Sequence, residues 1–81
     1  MYSYTISKEA DEKQFERACG LVESQIQEST KEELLEDVDG TQIQIYKTNG
    51  GKIKVVNDYD VDAVYIDSEI LIDGIEEYRI S

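Results

Sequence analysis

Apolar and polar residues alternate along residues 41–56, TQIQIYKTNGGKIKVV, and the alternation is interrupted at Asn-Gly-Gly. Successive side chains of a β-strand point to opposite faces of a sheet, so this alternation predicts two strands with one buried face. The Asn-Gly-Gly sequence between them is typical of a tight turn. The pattern therefore predicts a β-hairpin, the strongest local signal in the chain.

The register of this hairpin depends on the length of its loop. A two-residue loop at Asn49-Gly50 would place Ile45 opposite Lys54, an apolar side chain against a charged one. A longer loop over residues 48–50, with Gly50 at positive φ, allows the aliphatic residues of both strands to share one face. We therefore predict the pairs Ile45–Ile53 and Ile43–Val55, and an outer face of Gln42, Gln44, Tyr46, Lys52 and Lys54.

The N-terminal part of the chain changes from strand to helix periodicity. Residues 2–6, YSYTI, alternate as a short strand does. Ser7 is then the predicted N-cap of a helix, because acids follow it where the helix dipole favours negative charge. Apolar residues recur at the spacing of one buried helical stripe, and they are Phe15, Ala18, Cys19, Val22 and Ile26.

A capping box follows this helix. Thr30 with Glu33 three residues later is typical of a helix N-terminus, so we predict a short second helix over residues 31–37. One continuous helix over residues 8–37 is the alternative. Asp39-Gly40 ends the helical region and turns the chain into the hairpin.

Two interpretations compete after Val61. The first is one long strand over residues 61–72, with Val64, Ile66, Ile70 and Ile72 on its buried face; the second divides it by a turn at Asp67-Ser68. We favour the first, because it keeps the apolar positions in phase. Asp73-Gly74 then forms a hairpin turn, and the last strand buries Tyr78 and Ile80.

These elements predict an α+β fold in a single domain over residues 1–81. One antiparallel sheet of about four to five strands packs on the amphipathic N-terminal helix, with the short second helix beside it, in the order β-α-α-β-β-β-β. An 81-residue chain of which 40% is apolar buries a small core, so we expect a small margin of stability.

Charge is distributed unevenly along this frame. Residues 8–39 hold 11 acids and 4 bases, residues 40–57 hold 3 lysines and no acid, and residues 58–81 hold 8 acids and 1 arginine, for a net charge of -11. A protein that binds nucleic acid needs a basic surface to neutralise phosphates. We therefore expect no direct binding of DNA or RNA.

Several other classes of function lack the residues that they require. The chain has no histidine and one cysteine, which excludes the usual zinc clusters, an internal disulfide and a Cys-His nucleophile. Cys19 lies on the apolar helical stripe, where a packing role is expected. No stretch approaches the roughly 20 apolar residues of a membrane span. We predict a soluble, cytoplasmic, non-enzymatic protein with no catalytic residues, cofactor or metal, as a monomer or homodimer.

The candidate binding residues are acidic. Asp58, Asp60, Asp62 and Glu69 have the spacing of a calcium-binding loop, but Ala63 stands where that loop needs glycine. In an extended strand, the three aspartates would instead form a row with a spacing of about 7 Å, similar to that of DNA phosphates. Tyr59 could anchor such an interface. The predicted partner-binding residues are Asp58, Tyr59, Asp60, Asp62, Glu9, Glu12 and Glu16; a merely solubilising role for these acids is the alternative.

In size, acidity and lack of histidine, the chain resembles phage-encoded inhibitors of uracil-DNA glycosylase and of CRISPR nucleases, without sharing a motif with them. The resemblance implies an anti-defence protein of the bacterial cytoplasm, a DNA mimic whose acidic face binds a basic, nucleic-acid-processing partner. An immunity protein or antitoxin that neutralises a basic toxin is the alternative, and a small self-associating structural module is a third.

Overall fold

The computed structural model describes residues 2–72, which form one helix on one face of an antiparallel sheet of six strands. The sheet has the order β1-β6-β5-β4-β2, and β3 pairs with β4 beside β2. The α+β class and the antiparallel sheet agree with the prediction. The elements are β1 (Tyr2–Ser7), α1 (Glu12–Gln25), β2 (Ser29–Lys31), β3 (Leu35–Glu36), β4 (Gln42–Thr48), β5 (Lys52–Asp58) and β6 (Ala63–Ser68).

The helix begins later than the sequence predicts. Asp11, not Ser7, is the N-cap of α1, and its carboxylate accepts a hydrogen bond from the Lys13 backbone N–H at 3.0 Å. Ser7 instead ends β1, where its hydroxyl accepts a hydrogen bond from the backbone N–H of Glu9 at 3.2 Å. Both Ser7 and Asp11 can cap a helix, but Ser7 pairs with Val64 of β6 and therefore belongs to the sheet.

The predicted apolar stripe of α1 is confirmed. Phe15, Ala18, Cys19 and Val22 are buried, and Ile26 packs against the same core. The helix packs on β5, β6 and β1, whose inward side chains alternate with outward ones. This core is completed by Tyr4, Ile6, Tyr46, Ile53, Val55, Val64, Ile66 and Ile72. Within residues 2–72, no helix has the length and apolarity that a membrane span requires.

Gly20 lies on the exposed side of α1, and nothing lies within 4 Å of the position that a Cβ would occupy. Glycine in a helix interior costs up to about 1 kcal/mol relative to alanine, because it loses more backbone entropy on folding. We expect Gly20→Ala to raise the free energy of unfolding by up to about 1 kcal/mol in urea denaturation. Ser24→Ala, also exposed on this helix, is a matched control with a smaller expected gain. A loss of stability in Gly20→Ala would contradict the open space at this position.

The predicted second helix over residues 31–37 is absent, and so is the continuous alternative, because α1 ends at Gln25. The segment forms β2 and β3 along the edge of β4: Lys31 pairs with Tyr46, and Leu35 pairs with Ile43. A short, isolated helix of this length gains few hydrogen bonds for the entropy it costs. Pairing satisfies the free backbone groups of β4, which explains why the sheet has more strands than predicted.

The predicted hairpin register is also wrong. Ile45 pairs with Lys54 and Tyr46 with Ile53, which is the two-residue loop at Asn49-Gly50 that the apolar pattern disfavoured. Gly51 rather than Gly50 takes the positive φ, at +150°, and a Cβ there would lie 2.7 Å from Cβ of Glu69.

The inward face of β4 therefore carries polar side chains. Tyr46 is fully buried, and its hydroxyl reaches the end of α1; the amide of Gln44 donates to the backbone oxygen of Glu32 at 2.5 Å. The isoleucines that the pattern assigned to the core, Ile43 and Ile45, are half-buried on the opposite face. Alternation predicts two faces of a strand but does not say which one meets the helix.

The long strand predicted over residues 61–72 is shorter than expected. Residues 59–62 form a turn, and β6 spans Ala63–Ser68. The predicted inward residue Ser68 is buried, but its hydroxyl accepts from the backbone N–H of Ile70 at 3.1 Å and turns the chain out of the sheet. The predicted turn at Asp73-Gly74 and the last strand lie outside the described residues.

Candidate functional site

The turn between β5 and β6 lies beside the segment that leads into α1. The carboxylate of Asp62 accepts a hydrogen bond from the backbone N–H of Ala10 at 2.8 Å. The side-chain oxygen of Asn57 accepts one from the N-cap residue Asp11 at 3.0 Å. Both bonds satisfy N–H groups that precede or begin the helix, where α1 itself offers no acceptor. Two acidic segments that are far apart in sequence are thereby held together.

The turn between β3 and β4 joins the same end of the molecule. The backbone N–H of Tyr59 donates to the hydroxyl of Thr41 at 3.2 Å. The Tyr59 ring lies against Gly40, and a Cβ at this position would be 3.6 Å from the ring. The φ of Gly40 is +92°, a conformation that favours glycine. A third acidic segment, which contains Asp37 and Asp39, therefore lies beside the first two.

We call this region the acidic end. It comprises residues 8–13, 37–41 and 58–62, which together contain eight carboxylates and two lysines. Within the described residues, none of these charged side chains forms a salt bridge. The summed negative charge of these side chains creates a potential that attracts a cationic surface. Its carboxylates belong to Glu9, Asp11, Glu12, Asp37, Asp39, Asp58, Asp60 and Asp62.

Asp58, Asp60 and Asp62 do not form the predicted row along a strand. The carboxylate of Asp58 accepts hydrogen bonds from the backbone N–H groups of Asp60 at 2.9 Å and Val61 at 3.2 Å, which closes the turn. Asp62 has a φ of 58°, a conformation that aspartate tolerates better than most residues. The spacing of about 7 Å expected in an extended strand therefore does not apply to these aspartates. The charge density of the acidic end arises because three segments meet there.

The calcium-loop spacing is not realised as a loop either. Glu69 lies after β6, and its carboxylate accepts a hydrogen bond from the backbone N–H of Lys52 at 2.6 Å. The described residues contain no group of three potential metal ligands. Asp58 and Asp62 use their carboxylates for backbone hydrogen bonds in and next to the turn.

Asn57 forms hydrogen bonds to two of the segments of the acidic end, at Asp11 and Tyr59. It is fully buried on the inward face of β5. While its oxygen accepts from Asp11, its amide nitrogen donates to the side-chain oxygen of Gln42 at 3.1 Å and to the hydroxyl of Tyr59 at 3.4 Å. The sequence does not point to this role of Asn57, because an isolated asparagine before a turn gives no signal of burial.

Tyr59 is the aromatic residue of the acidic end. It is 46% exposed, yet its backbone is fixed by Thr41 and its hydroxyl by Asn57. An aromatic side chain that is already ordered loses little conformational entropy on binding. Tyr59 is therefore well placed to act as an anchor.

Glu16 lies beyond the acidic end, in a groove between α1 and the strands on its open side. The groove has a volume of about 350 Å³, and Phe15, Cys19 and Leu34 supply its apolar lining. Glu12 lines both the groove and the acidic end, so the two surfaces are continuous. At the far end of the groove, Lys31 and Glu23 form a salt bridge of 3.1 Å, where both side chains are about half exposed.

Tyr46 forms a hydrogen bond with Glu23, one of the residues that line the groove. Its hydroxyl donates to the Glu23 carboxylate at 2.6 Å and lies 3.5 Å from the backbone oxygen of Cys19. The hydrogen bond from Tyr46 and the nearby Lys31 lower the pKa of Glu23, whereas burial and the Glu23 charge raise the pKa of Tyr46. The pair is thus held as phenol and carboxylate at neutral pH.

Cys19 is buried in the core, as the helical stripe predicted. Burial raises the pKa of its thiol, so little reactive thiolate is present at neutral pH. Among the charged residues of the acidic end, hydrogen bonds from Thr41 lower the pKa of Asp39, so its carboxylate stays ionised in mild acid.

Most of the predicted binding residues are brought together. Glu9, Glu12, Asp58, Tyr59, Asp60 and Asp62 lie at the acidic end, whereas Glu16 lies further along α1 in the groove. The prediction missed Asp11, Asp37 and Asp39. The Asp39-Gly40 turn signal was recognised in the sequence, but only the sheet pairing places it beside Tyr59.

Comparisons of the chain with protein-family models, with curated proteins and with solved structures gave no match.

Proposed function

We propose that this protein is a non-enzymatic inhibitor whose acidic end binds a basic, nucleic-acid-binding surface of a partner protein in the bacterial cytoplasm. One observation carries the proposal: three separate acidic segments meet around the partly exposed, ordered ring of Tyr59. A surface of this kind competes with nucleic acid for a cationic groove through its charge. In this proposal the acidic end resembles nucleic acid in its density of negative charge, and its carboxylates do not have the regular spacing of residues along a strand.

Some carboxylates of the acidic end accept backbone hydrogen bonds and others do not, and this difference decides which residues can be replaced to test the proposal. Asp11, Asp37, Asp39, Asp58 and Asp62 accept backbone hydrogen bonds, so replacing them would disturb the fold as well as the charge. Within residues 2–72, the side chains of Glu9 and Asp60 make no such bond, and both are exposed. Changes at these two positions remove charge alone.

The partner is found by an affinity pulldown from a bacterial lysate with mass spectrometry. We expect a DNA- or RNA-processing protein to be captured at about 50 mM salt and lost at about 500 mM, because salt screens exposed charges. Capture of a basic toxin would instead favour an immunity protein or antitoxin that uses the same surface. Capture that is unchanged by salt would contradict both.

The double variant Glu9→Gln/Asp60→Asn then tests the surface. We expect it to weaken binding to the captured partner by about tenfold or more, mostly through slower association. The matched control is Glu28→Gln/Glu33→Gln, which removes the same charge from exposed residues between α1 and β3. Equal weakening by both variants would mean that net charge, not the acidic end, determines binding.

Tyr59→Ala separates anchoring from electrostatics in the same assay. If Tyr59 is an anchor, we expect faster dissociation with little change in the salt dependence.

A further inference from the structure

The groove beside α1 has a row of carboxylates along its helical side. Glu12, Glu16 and Glu23 line it, and their spacing of four and seven residues places them on one face of the helix. Gly20 lies in the same row, and nothing lies within 4 Å of the position that its Cβ would occupy. The row of acids is therefore interrupted by an open space in the wall of the groove.

Two of these three carboxylates have no partner in the part of the chain that the structure describes. Glu23 accepts a hydrogen bond from the Tyr46 hydroxyl at 2.6 Å and forms a salt bridge of 3.1 Å with Lys31. Glu12 and Glu16 form neither a hydrogen bond nor a salt bridge through their side chains with residues 2–72. Lys31 is the one base among the described residues that line the groove, so three acids and one base leave a net charge of -2.

Gln44 supplies an independent feature on the opposite wall. It is only 4% exposed and lines the groove from β4. Its amide nitrogen donates to the backbone oxygens of Glu32 at 2.5 Å and Ile45 at 3.4 Å, which fixes the orientation of the amide.

The side-chain oxygen of Gln44 accepts no hydrogen bond from residues 2–72. It is not sealed in the core, because no side-chain oxygen or nitrogen of the described residues is both inaccessible and without a partner. An acceptor in such a nearly buried position is stabilised by a donor that enters the groove. Gln42 is the remaining polar lining residue, and its own oxygen already accepts from Asn57 at 3.1 Å. The unpaired groups of the groove are therefore mostly acceptors.

An arginine side chain matches this set of groups. Its guanidinium has five N–H donors in a fixed fork and no acceptor, which suits two carboxylates and an amide oxygen. Its aliphatic stem can lie along Phe15 and Leu34, as long cationic side chains do on apolar surfaces. A volume of about 350 Å³ is at the lower end for ligand sites and suits one side chain. Lysine is a single charged centre with three donors and matches these acceptors less well.

We propose that the groove binds an arginine side chain of the partner protein, whose guanidinium lies between the carboxylates of α1 and the side-chain oxygen of Gln44. The inference deepens the proposed function and rests on it for the source of the arginine, because arginine is a common residue of surfaces that bind nucleic acid. Glu12 belongs to both the groove and the acidic end, so one basic surface can contact both.

Titration with N-acetyl-arginine methylamide tests the site without the partner. The isotope-labelled full chain is followed by NMR at about 20 mM salt, where screening is weak. We expect saturable shifts at Glu16, Gly20 and the side-chain amide of Gln44, with a Kd of about 1–10 mM, as suits a single side chain. The citrulline analogue has the same shape without the charge and should bind about tenfold more weakly. Shifts that do not saturate, or equal binding of both compounds, would overturn the proposal.

Gly20→Met blocks the groove without changing any charge. The new side chain fills the open space, and methionine is a better helix former than glycine, so the fold is kept. We expect Gly20→Met to weaken binding of the arginine compound by about tenfold or more. The matched control is Ser24→Met, which is exposed on α1 outside the groove lining and should leave binding unchanged. Equal effects of the two variants would refute the site.

The variant Glu9→Gln/Asp60→Asn separates this inference from the proposed function. Both residues lie outside the groove lining, so we expect binding of the arginine compound to stay within about twofold while binding of the captured partner weakens. Loss of the arginine compound in this variant would show that the acidic end, not the groove, holds it. Absence of binding to the unmodified chain would remove the arginine site even if a salt-sensitive partner is captured.

Discussion

Tyr46→Ala is expected to destabilise the protein by about 3–5 kcal/mol, the usual cost of deleting a fully buried aromatic ring. Tyr46 is inaccessible to solvent, packs in the core, and hydrogen bonds to Glu23 on α1. Domains of this kind have only about 5–15 kcal/mol of stability, so much of the margin would be lost. Urea denaturation followed by circular dichroism measures the change.

Tyr46→Phe is the control that keeps the ring and removes the hydroxyl. A hydrogen bond to a charged group contributes about 1.5–3 kcal/mol, and the partial exposure of Glu23 reduces that figure. We therefore expect Tyr46→Phe to cost less than Tyr46→Ala. Equal losses in the two variants would show that the hydroxyl, not ring packing, accounts for the stability at this position.

The hydrogen bond between Tyr46 and Glu23 predicts how the stability of the fold depends on pH. The hydrogen bond from Tyr46 and the charge of Lys31 lower the pKa of Glu23 below its ordinary 4.5. A carboxyl group with a lowered pKa in the folded state contributes stability above its unfolded pKa, and this contribution is lost as the pH falls through the folded value. In Tyr46→Phe the loss of stability below about pH 4.5 should be smaller than in the wild type.

Asn57→Leu is expected to cost about 1–3 kcal/mol, because it leaves two partly buried polar groups without their hydrogen-bond partners. Asp11 loses the acceptor of its backbone N–H, and Gln42 loses the donor to its side-chain oxygen. The larger consequence is local. Without Asn57, one link between α1 and the β5–β6 turn is gone and the hydroxyl of Tyr59 is released, so the acidic end should loosen.

Hydrogen exchange distinguishes this local effect from general destabilisation. In Asn57→Leu, we expect the amides of Asp11 and Tyr59 to exchange faster than the loss of global stability explains. Ser68→Ala is the matched control, since Ser68 is equally buried and polar but its hydroxyl bonds Ile70 instead. If both variants changed exchange at the acidic end equally, Asn57 would have no special role there.

Local periodicity was a sound guide to where the helix and the longer strands lie, but not to which face of β4 meets the core. The stripe of α1 follows from helical spacing alone, because only one side of a helix can pack on a sheet. The strands β1, β4 and β5 follow equally from alternation. The start of α1 was not predictable in this way, since Ser7 and Asp11 both suit an N-cap and the competing partner of Ser7 is a strand nearly 60 residues away.

The candidate site shows the same division. The sequence supplied the acids at positions 9, 12, 58, 60 and 62 and the tyrosine between them. It gave no sign that Asp37 and Asp39 would join them, because that depends on the pairing of β3 with β4 and the bond from Tyr59 to Thr41. It also misplaced the aspartates of the β5–β6 turn, where side-chain hydrogen bonds to the backbone replace an extended conformation.

The sequence by itself determined the composition of each surface: an acidic chain, one amphipathic helix, and strands with one apolar and one mixed face. Only the tertiary structure decided which strand face meets the helix, that residues 29–31 and 35–36 become strands, and that three acidic segments converge. The physical reason is that periodicity and charge are local properties of the chain. Register, edge pairing and convergence are set by contacts between distant residues, whose free energies no short window of sequence contains.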